Sequence, residues 1–279
     1  MSPQPGGASN YFSTLLAILR QSAAQLVRSP SHSRRAEAAR RSARHVLQLT
    51  AILGVAIIAL MYLLDATGIG WMPTRGTPSL WPIRILTDFG KSKYVLWTLA
   101  AMLIAVALVS PGLRGTSRSL LLGLGTRLQF MFLAVLLPSM TGELLKWMIG
   151  RGRPFVGGEG NVFDFRHFVG TESFASFPSG HANTAFALAF AVSSLWPQAR
   201  PVMIVYAVAI ALSRLVLLAH HPSDVVAGAL VGVIGAMAVR YWFAARRLGF
   251  AIRHDGTIVP LPGPSLGHVK RVARGASAP

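Results

Sequence analysis

The chain has 279 residues, 52% of them hydrophobic and only 13% charged, with a mean hydropathy of +0.50. A soluble domain carries roughly a quarter charged residues, so this composition excludes an ordinary soluble fold and points to the membrane class. The absence of cysteine excludes a disulfide framework and a thiolate metal site, and the net charge of +18 invites a nucleic-acid reading that no binding motif supports.

Residues 1–45 form a basic N-terminal segment. Within it, Tyr11, Phe12, Leu15, Leu16 and Leu19 fall at helical spacing, with Arg20 and Arg28 beyond them. This pattern suits an amphipathic helix on the inner membrane surface, with a loosely ordered tail as the alternative. A cleaved signal peptide does not fit, because the first long apolar run begins late and has no small-residue cleavage pattern nearby.

Six apolar runs follow, at about residues 46–64, 94–110, 128–149, 182–197, 201–219 and 225–245. Most approach the roughly 20 residues needed to cross a hydrocarbon core as helix, and helix is the spanning form that satisfies its own backbone. The third run carries Pro138, Glu143 and Lys146; the fourth is short and ends at Trp196-Pro197. Gly228 and Gly232 form a small-xxx-small step that predicts close helix packing. The expected fold is therefore all-α: a polytopic membrane protein, with a six-transmembrane-helix bundle over residues 46–247. Residues 248–279 read as a basic, disordered cytoplasmic tail.

Orientation follows from the Lys and Arg distribution. If the N-terminus is inside and each run crosses once, the inner segments hold 18 of the 27 basic residues, against only Glu37 and Asp255. Both termini are then cytoplasmic. The same topology places Lys146, Arg153, His181, His220 and Asp224 at the outer face, although none of them was used to derive it.

Those residues belong to three stretches: KWMIGRGRP from Lys146, PSGH from Pro178, and SRLVLLAHHPSD from Ser213. Their inventory of cations, imidazoles and a carboxylate suits a tetrahedral phosphate. His220 and Asp224 are four residues apart, so a helical turn can bring them to one face. Asp224 could then accept a hydrogen bond from one ring nitrogen and leave the other free to attack phosphorus. Ser179-Gly180 opens a run, where unpaired backbone N–H groups and the helix dipole favour phosphate oxygens. Lys146, Arg153 and Arg214 can clamp the phosphate, and Arg214 within an apolar run is a functional residue by default. Glu143 can pair with Lys146 across one turn.

In order and spacing the three stretches resemble the type 2 phosphatidic acid phosphatase family, across about residues 46–245. The resemblance implies a metal-independent membrane phosphatase working through a phosphohistidine, with no cofactor. It implies His220 as nucleophile, Asp224 as its orienter and His181 as general acid. Lys146, Arg153, Ser179, Gly180 and Arg214 then bind phosphate. Arg151 and His221 lie off the pattern and read as supporting or incidental. Arg166, His167, Lys91 and Lys93 could reach a headgroup, but solvation is the simpler role for each.

Two other readings compete: a metal-dependent hydrolase using His181, His220, His221 and Asp224, and a transporter or binding module for phosphorylated headgroups. The expected partners are the bilayer and a phosphorylated lipid, with no nucleic acid. Undecaprenyl diphosphate, phosphatidylglycerol phosphate, phosphatidic acid and lipid A 1-phosphate present similar terminal phosphates. Undecaprenyl diphosphate or another bacterial envelope lipid comes first on compactness and outward orientation. Oligomeric state is not encoded in any motif.

Overall fold

The structure is a computed structural model that describes residues 7–74, 76–154, 156 and 162–262. It is nearly all helical. In chain order the helices are α1 (Gly7–Val27), α2 (Arg35–Leu63), α3 (Asp65–Gly70), α4 (Trp81–Asp88), α5 (Ser92–Val109), α6 (Gly115–Ile149), α7 (Gly180–Leu195), α8 (Arg200–Val216) and α9 (Pro222–Ala245). Two short strands, β1 (Phe250–Ile252) and β2 (Ile258–Pro260), pair antiparallel after the last helix.

Five helical stretches among the described residues are long and apolar enough to cross a membrane: Arg35–Leu63, Pro78–Gly112, Gly115–Ile149, Pro197–Val216 and Pro222–Ala245. The expected sixth, α7, has 16 residues. At about 1.5 Å per residue it falls short of the roughly 30 Å hydrocarbon thickness. Its surroundings explain the short length. Ala182, Ala185, Ala187, Ala189 and Ala191 are all buried against α6, α8 and α9, so α7 is an inner helix walled by its neighbours. By contrast, Ile52, Val55 and Ile58 of α2, Trp97 and Ile104 of α5, and Val202, Val205 and Leu212 of α8 are exposed. Such apolar surface on helices of bilayer length is the lipid-facing belt.

Three contacts fix α7 in register. A Cβ added at Gly228 or Gly232 would come within 2.3 Å of the Ser179 or Asn183 carbonyl oxygen, so the glycine step on α9 lets the two backbones touch. The Asn183 side-chain amide donates to the Pro138 carbonyl of α6 at 2.7 Å. Gly142 leaves room for that amide, because a Cβ there would lie 2.6 Å from it.

The tail expected to be disordered from residue 248 is partly folded. Phe250 packs edge-on against Phe130 of α6, with ring centroids 4.8 Å apart, and Ile252 is also buried. The Ile252 N–H donates to His32 Nε2 at 3.1 Å, and Arg41 pairs with Asp255 at 3.4 Å. Burial of a phenylalanine and an isoleucine outweighs the polar, glycine-containing composition of the turn. Lys270, Arg271 and Arg274 lie outside the described residues. The segment with helical spacing near the N-terminus is α1; it leaves Phe12, Leu16 and Leu19 exposed and anchors Tyr11 Oη on the Leu108 carbonyl at 2.6 Å.

Candidate active site

Helix ends build the site. α6 stops at Gly150, whose φ of 60° is the left-handed conformation that closes helices and suits glycine. A Cβ at this position would also run into the Arg166 carbonyl. The chain then continues extended through Arg151 and Arg153, braced on both sides. Gly152 N–H donates to the Asp164 carbonyl at 2.8 Å, Arg153 N–H to the Ser173 carbonyl at 2.9 Å, and Ser176 N–H to the Arg151 carbonyl at 3.0 Å. α8 ends at Val216, and Leu218 takes a φ of 48° as the chain turns back toward α9. Pro222 occupies the first turn of α9, where its missing N–H costs nothing.

These ends surround a cavity of about 260 Å³ lined by Lys91, Ser92, Lys93, Glu143, Lys146, Arg153, Glu172, Gly180, His181, Arg214 and His220. The expected pair of histidines and the three expected clamps share one wall-to-wall space. Lys91 and Lys93, read as solvated from sequence, also line it. Arg166 instead stacks over the Phe174 ring at 4.6 Å, and His167 Nδ1 lies 3.1 Å from the Met148 carbonyl.

Glu143 pairs with Lys146 at 2.6 Å, and Glu172 with Arg153 at 2.9 Å. Arg214 donates to Thr87 Oγ1 at 2.9 Å. Arg153 Nε, Arg214 Nε and His181 Nε2 are buried and have no hydrogen-bond partner among the described residues. Buried N–H donors left over in a cationic cavity are what an anion with several oxygens satisfies. Gly180 belongs to the same arrangement, since a Cβ there would lie 3.0 Å from Lys146 Nζ. Ser179 sits behind the cavity wall. Its backbone N–H is already donated to the Asp224 carbonyl at 2.9 Å, and it is absent from the cavity wall.

His220 is buried in the turn between α8 and α9. Its Nδ1 lies 2.8 Å from the Ser176 carbonyl oxygen, which can only accept, so Nδ1 carries the proton and Nε2 the lone pair. Burial holds this imidazole well below the ordinary histidine range; Asp224 opposes the shift, and Arg214, Arg153 and Lys146 reinforce it.

The direct His220–Asp224 hydrogen bond expected from their spacing is not made. The Asp224 carboxylate lies 3.9 Å from His220 Nδ1. The four-residue spacing does not act as a helical turn, because His220 precedes the helix and Asp224 occupies its third position. There Asp224 closes a capping box, accepting from the His221 backbone N–H at 2.8 Å and from His221 Nδ1 at 3.1 Å. It also accepts from Ser176 Oγ at 2.6 Å and Arg151 at 2.6 Å. His221 and Arg151, read as supporting or incidental, are thus buried at the centre of the site's support.

Sequence reasoning did not single out Asp65, Ser176 or Ser223, all fully buried. One signal was available: Asp65 is the only acidic residue at the outer end of the first apolar run. Among the described residues, no group of three or more His, Asp and Glu side chains is arranged to hold a metal ion.

A multi-pass helical membrane protein with a cationic, two-histidine cavity at one end of its bundle is the class this geometry defines. The chain belongs to the PAP2 superfamily, whose family model matches residues 127–248, and it is a membrane lipid phosphatase. It is 31% identical over 207 residues to a lipid A 1-phosphatase of Rhizobium johnstonii, covering 72% of this chain and 82% of the relative. A lipid A 1-phosphatase of Rhizobium etli is 35% identical over 127 residues, 46% of this chain and 55% of the relative. The bacitracin transport permease protein BcrC of Bacillus licheniformis is 25% identical over 170 residues, 58% of this chain and 79% of the relative. No solved structure matches the chain.

Proposed function

We propose that the protein removes a terminal phosphate from a lipid through a phosphohistidine on His220, at the extracytoplasmic face of a bacterial inner membrane. The observation that carries this reading is that His220 and His181 line the same cavity as Lys146, Arg153 and Arg214. A site that only bound phosphate would need the cations but not the two imidazoles.

In the first step the His220 Nε2 lone pair forms an N–P bond while the P–O bond to the lipid breaks. His181, as the imidazolium, gives its proton to the departing lipid oxygen. Arg153, Arg214 and Lys146 hold the three remaining phosphoryl oxygens and take up the charge that builds on them. In the second step neutral His181 takes a proton from water. The water oxygen bonds to phosphorus, the N–P bond breaks, and inorganic phosphate leaves with His220 restored.

Lipid A 1-phosphate is the proposed first substrate, ahead of undecaprenyl diphosphate, phosphatidylglycerol phosphate and phosphatidic acid. The similarity to two lipid A 1-phosphatases, one spanning most of this chain, supports this order over the one based on compactness alone. The comparison of kcat/KM across those four lipids with purified protein tests it, and a clear preference for another lipid overturns it. For the chemistry, His220→Ala should abolish phosphate release while the protein still folds in detergent. Full turnover by that variant would exclude the covalent route and favour the binding module. Activity that disappears with a strong chelator would favour the metal-dependent hydrolase.

The outward placement rests on the Lys and Arg distribution together with α9, which starts beside the cavity at Pro222 and runs 24 residues to Ala245, shortly before the hairpin. At about 1.5 Å per residue that separates the two by the thickness of a bilayer. The chain lacks cysteine, so single cysteines report sidedness cleanly. An impermeant maleimide on spheroplasts should label Arg166→Cys and leave Asp255→Cys unlabelled; the reverse pattern inverts the topology.

A further inference from the structure

Resting on the proposed reaction at His220, we infer that Asp65 and Arg151 are positioning residues, which hold the nucleophile through Asp224 and Ser176 without touching substrate. Asp65 lies outside residues 127–248, the part of the chain that the family model matches.

The guanidinium of Arg151 is fully buried, and all five of its N–H donors are used inside the protein. Nε donates to the Val162 carbonyl at 3.1 Å. One terminal nitrogen serves Asp224 at 2.6 Å and Ser223 Oγ at 2.7 Å; the other serves Asp65 at 2.8 Å and the Val162 carbonyl at 2.8 Å. Nothing remains to bind a phosphate oxygen. This separates Arg151 from Arg153 two residues on, whose Nε has no partner among the described residues. Asp65 faces Arg151 from the start of α3 and also accepts from the Ser223 backbone N–H at 3.0 Å and from Ser223 Oγ.

The chain of contacts continues to the nucleophile. Arg151 fixes the Asp224 carboxylate, which accepts from Ser176 Oγ, while the Arg151 carbonyl accepts from the Ser176 N–H. Ser176 is therefore held at both its side chain and its backbone, and its own carbonyl takes the His220 Nδ1 proton. A buried pair is a weak source of stability compared with apolar packing, but its directional bonds define one arrangement of the groups they join. Four separate segments, at residues 65, 151, 176 and 223–224, meet there. The reacting atom, His220 Nε2, is set by the last link.

A fixed ring matters to the transition state more than to ground-state phosphate binding, which the cavity cations supply. With short-chain dioctanoyl phosphatidic acid as probe in detergent, Asp65→Asn is expected to lower kcat about tenfold or more while KM stays within about twofold. Arg151→Lys, which keeps the charge but not the fork, should show the same split. Asp65→Glu should recover part of the lost kcat. In a double-mutant cycle, Asp65→Asn and Ser176→Ala should be less than additive. If Asp65→Asn yields no folded protein, Ser223→Ala removes only a hydroxyl and should still lower kcat several-fold at unchanged KM. Unchanged kcat in Asp65→Asn, or in Ser223→Ala where that stands in, overturns the inference, as does a loss carried by KM alone. The underlying reading is tested separately: if His220→Ala also turns over at the wild-type rate, the proposed chemistry fails. If His220→Ala is dead and Asp65→Asn is normal, only the positioning role fails.

Discussion

Two arginines two residues apart, Arg151 and Arg153, face opposite environments. Arg153 lines the cavity, holds one exposed glutamate, and keeps a buried Nε without a partner among the described residues. Arg151 points the other way and spends every donor on Asp65, Asp224, Ser223 and Val162. In a regular strand residues two apart share a face; here, of the two, only Arg151 makes a bridge, and the irregular backbone that follows it gives the two arginines different surroundings. Polar groups that are satisfied within the protein define shape; those left unsatisfied define what the site is ready to receive.

The largest expected effect tests this contrast directly. Arg151→Ala leaves Asp65 and Asp224 buried without their cation, which should cost roughly 3–5 kcal/mol of stability, read as a lowered Tm in detergent. Arg153→Ala should instead leave Tm nearly unchanged and lower kcat by about 10²-fold or more, because it removes a donor to developing charge. A similar Tm for both variants would dissolve the distinction.

Smaller effects sharpen it. Gly228→Ala drives a methyl into the Ser179 carbonyl, which should destabilise by about 1–3 kcal/mol and disturb activity together with Tm. Gly180→Ala presses on Lys146 Nζ, the flexible end of a side chain, so it should raise KM a few-fold with little change in Tm. The pH profile gives the mildest test. His220 attacks as the neutral base, and burial lowers its pKa below the ordinary 6.5, so the neutral form persists to lower pH. The acid limb of kcat/KM should therefore fall below pH 6.5, and a limb above that value would contradict a buried nucleophile.

Much of the site was legible in sequence because its chemistry sits in short local motifs. Lys146, Arg153, Gly180, His181, Arg214 and His220 line one cavity, as their residue types suggested. Asp224 shows where local reading fails. Reading the four-residue spacing as a helical turn overlooks that the helix begins only at Pro222, after His220; Asp224 instead closes a capping box, and the orienting acceptor is Ser176. The number of crossing helices is less legible for a related reason: hydrophobic runs do not distinguish a lipid-facing helix from a shorter inner one such as α7.

Sequence by itself determined the membrane class, the helical architecture, the charge asymmetry and the phosphate-directed motifs, because hydropathy, helical period and residue chemistry are local properties. Only the tertiary structure decided which cations face the cavity and which are consumed behind it. It joined Asp65 to Arg151 and Asp224, and it folded Phe250 and Ile252 onto the bundle. Those outcomes depend on contacts between segments as much as 220 residues apart, from His32 to Ile252, and no local pattern encodes where a distant partner will lie.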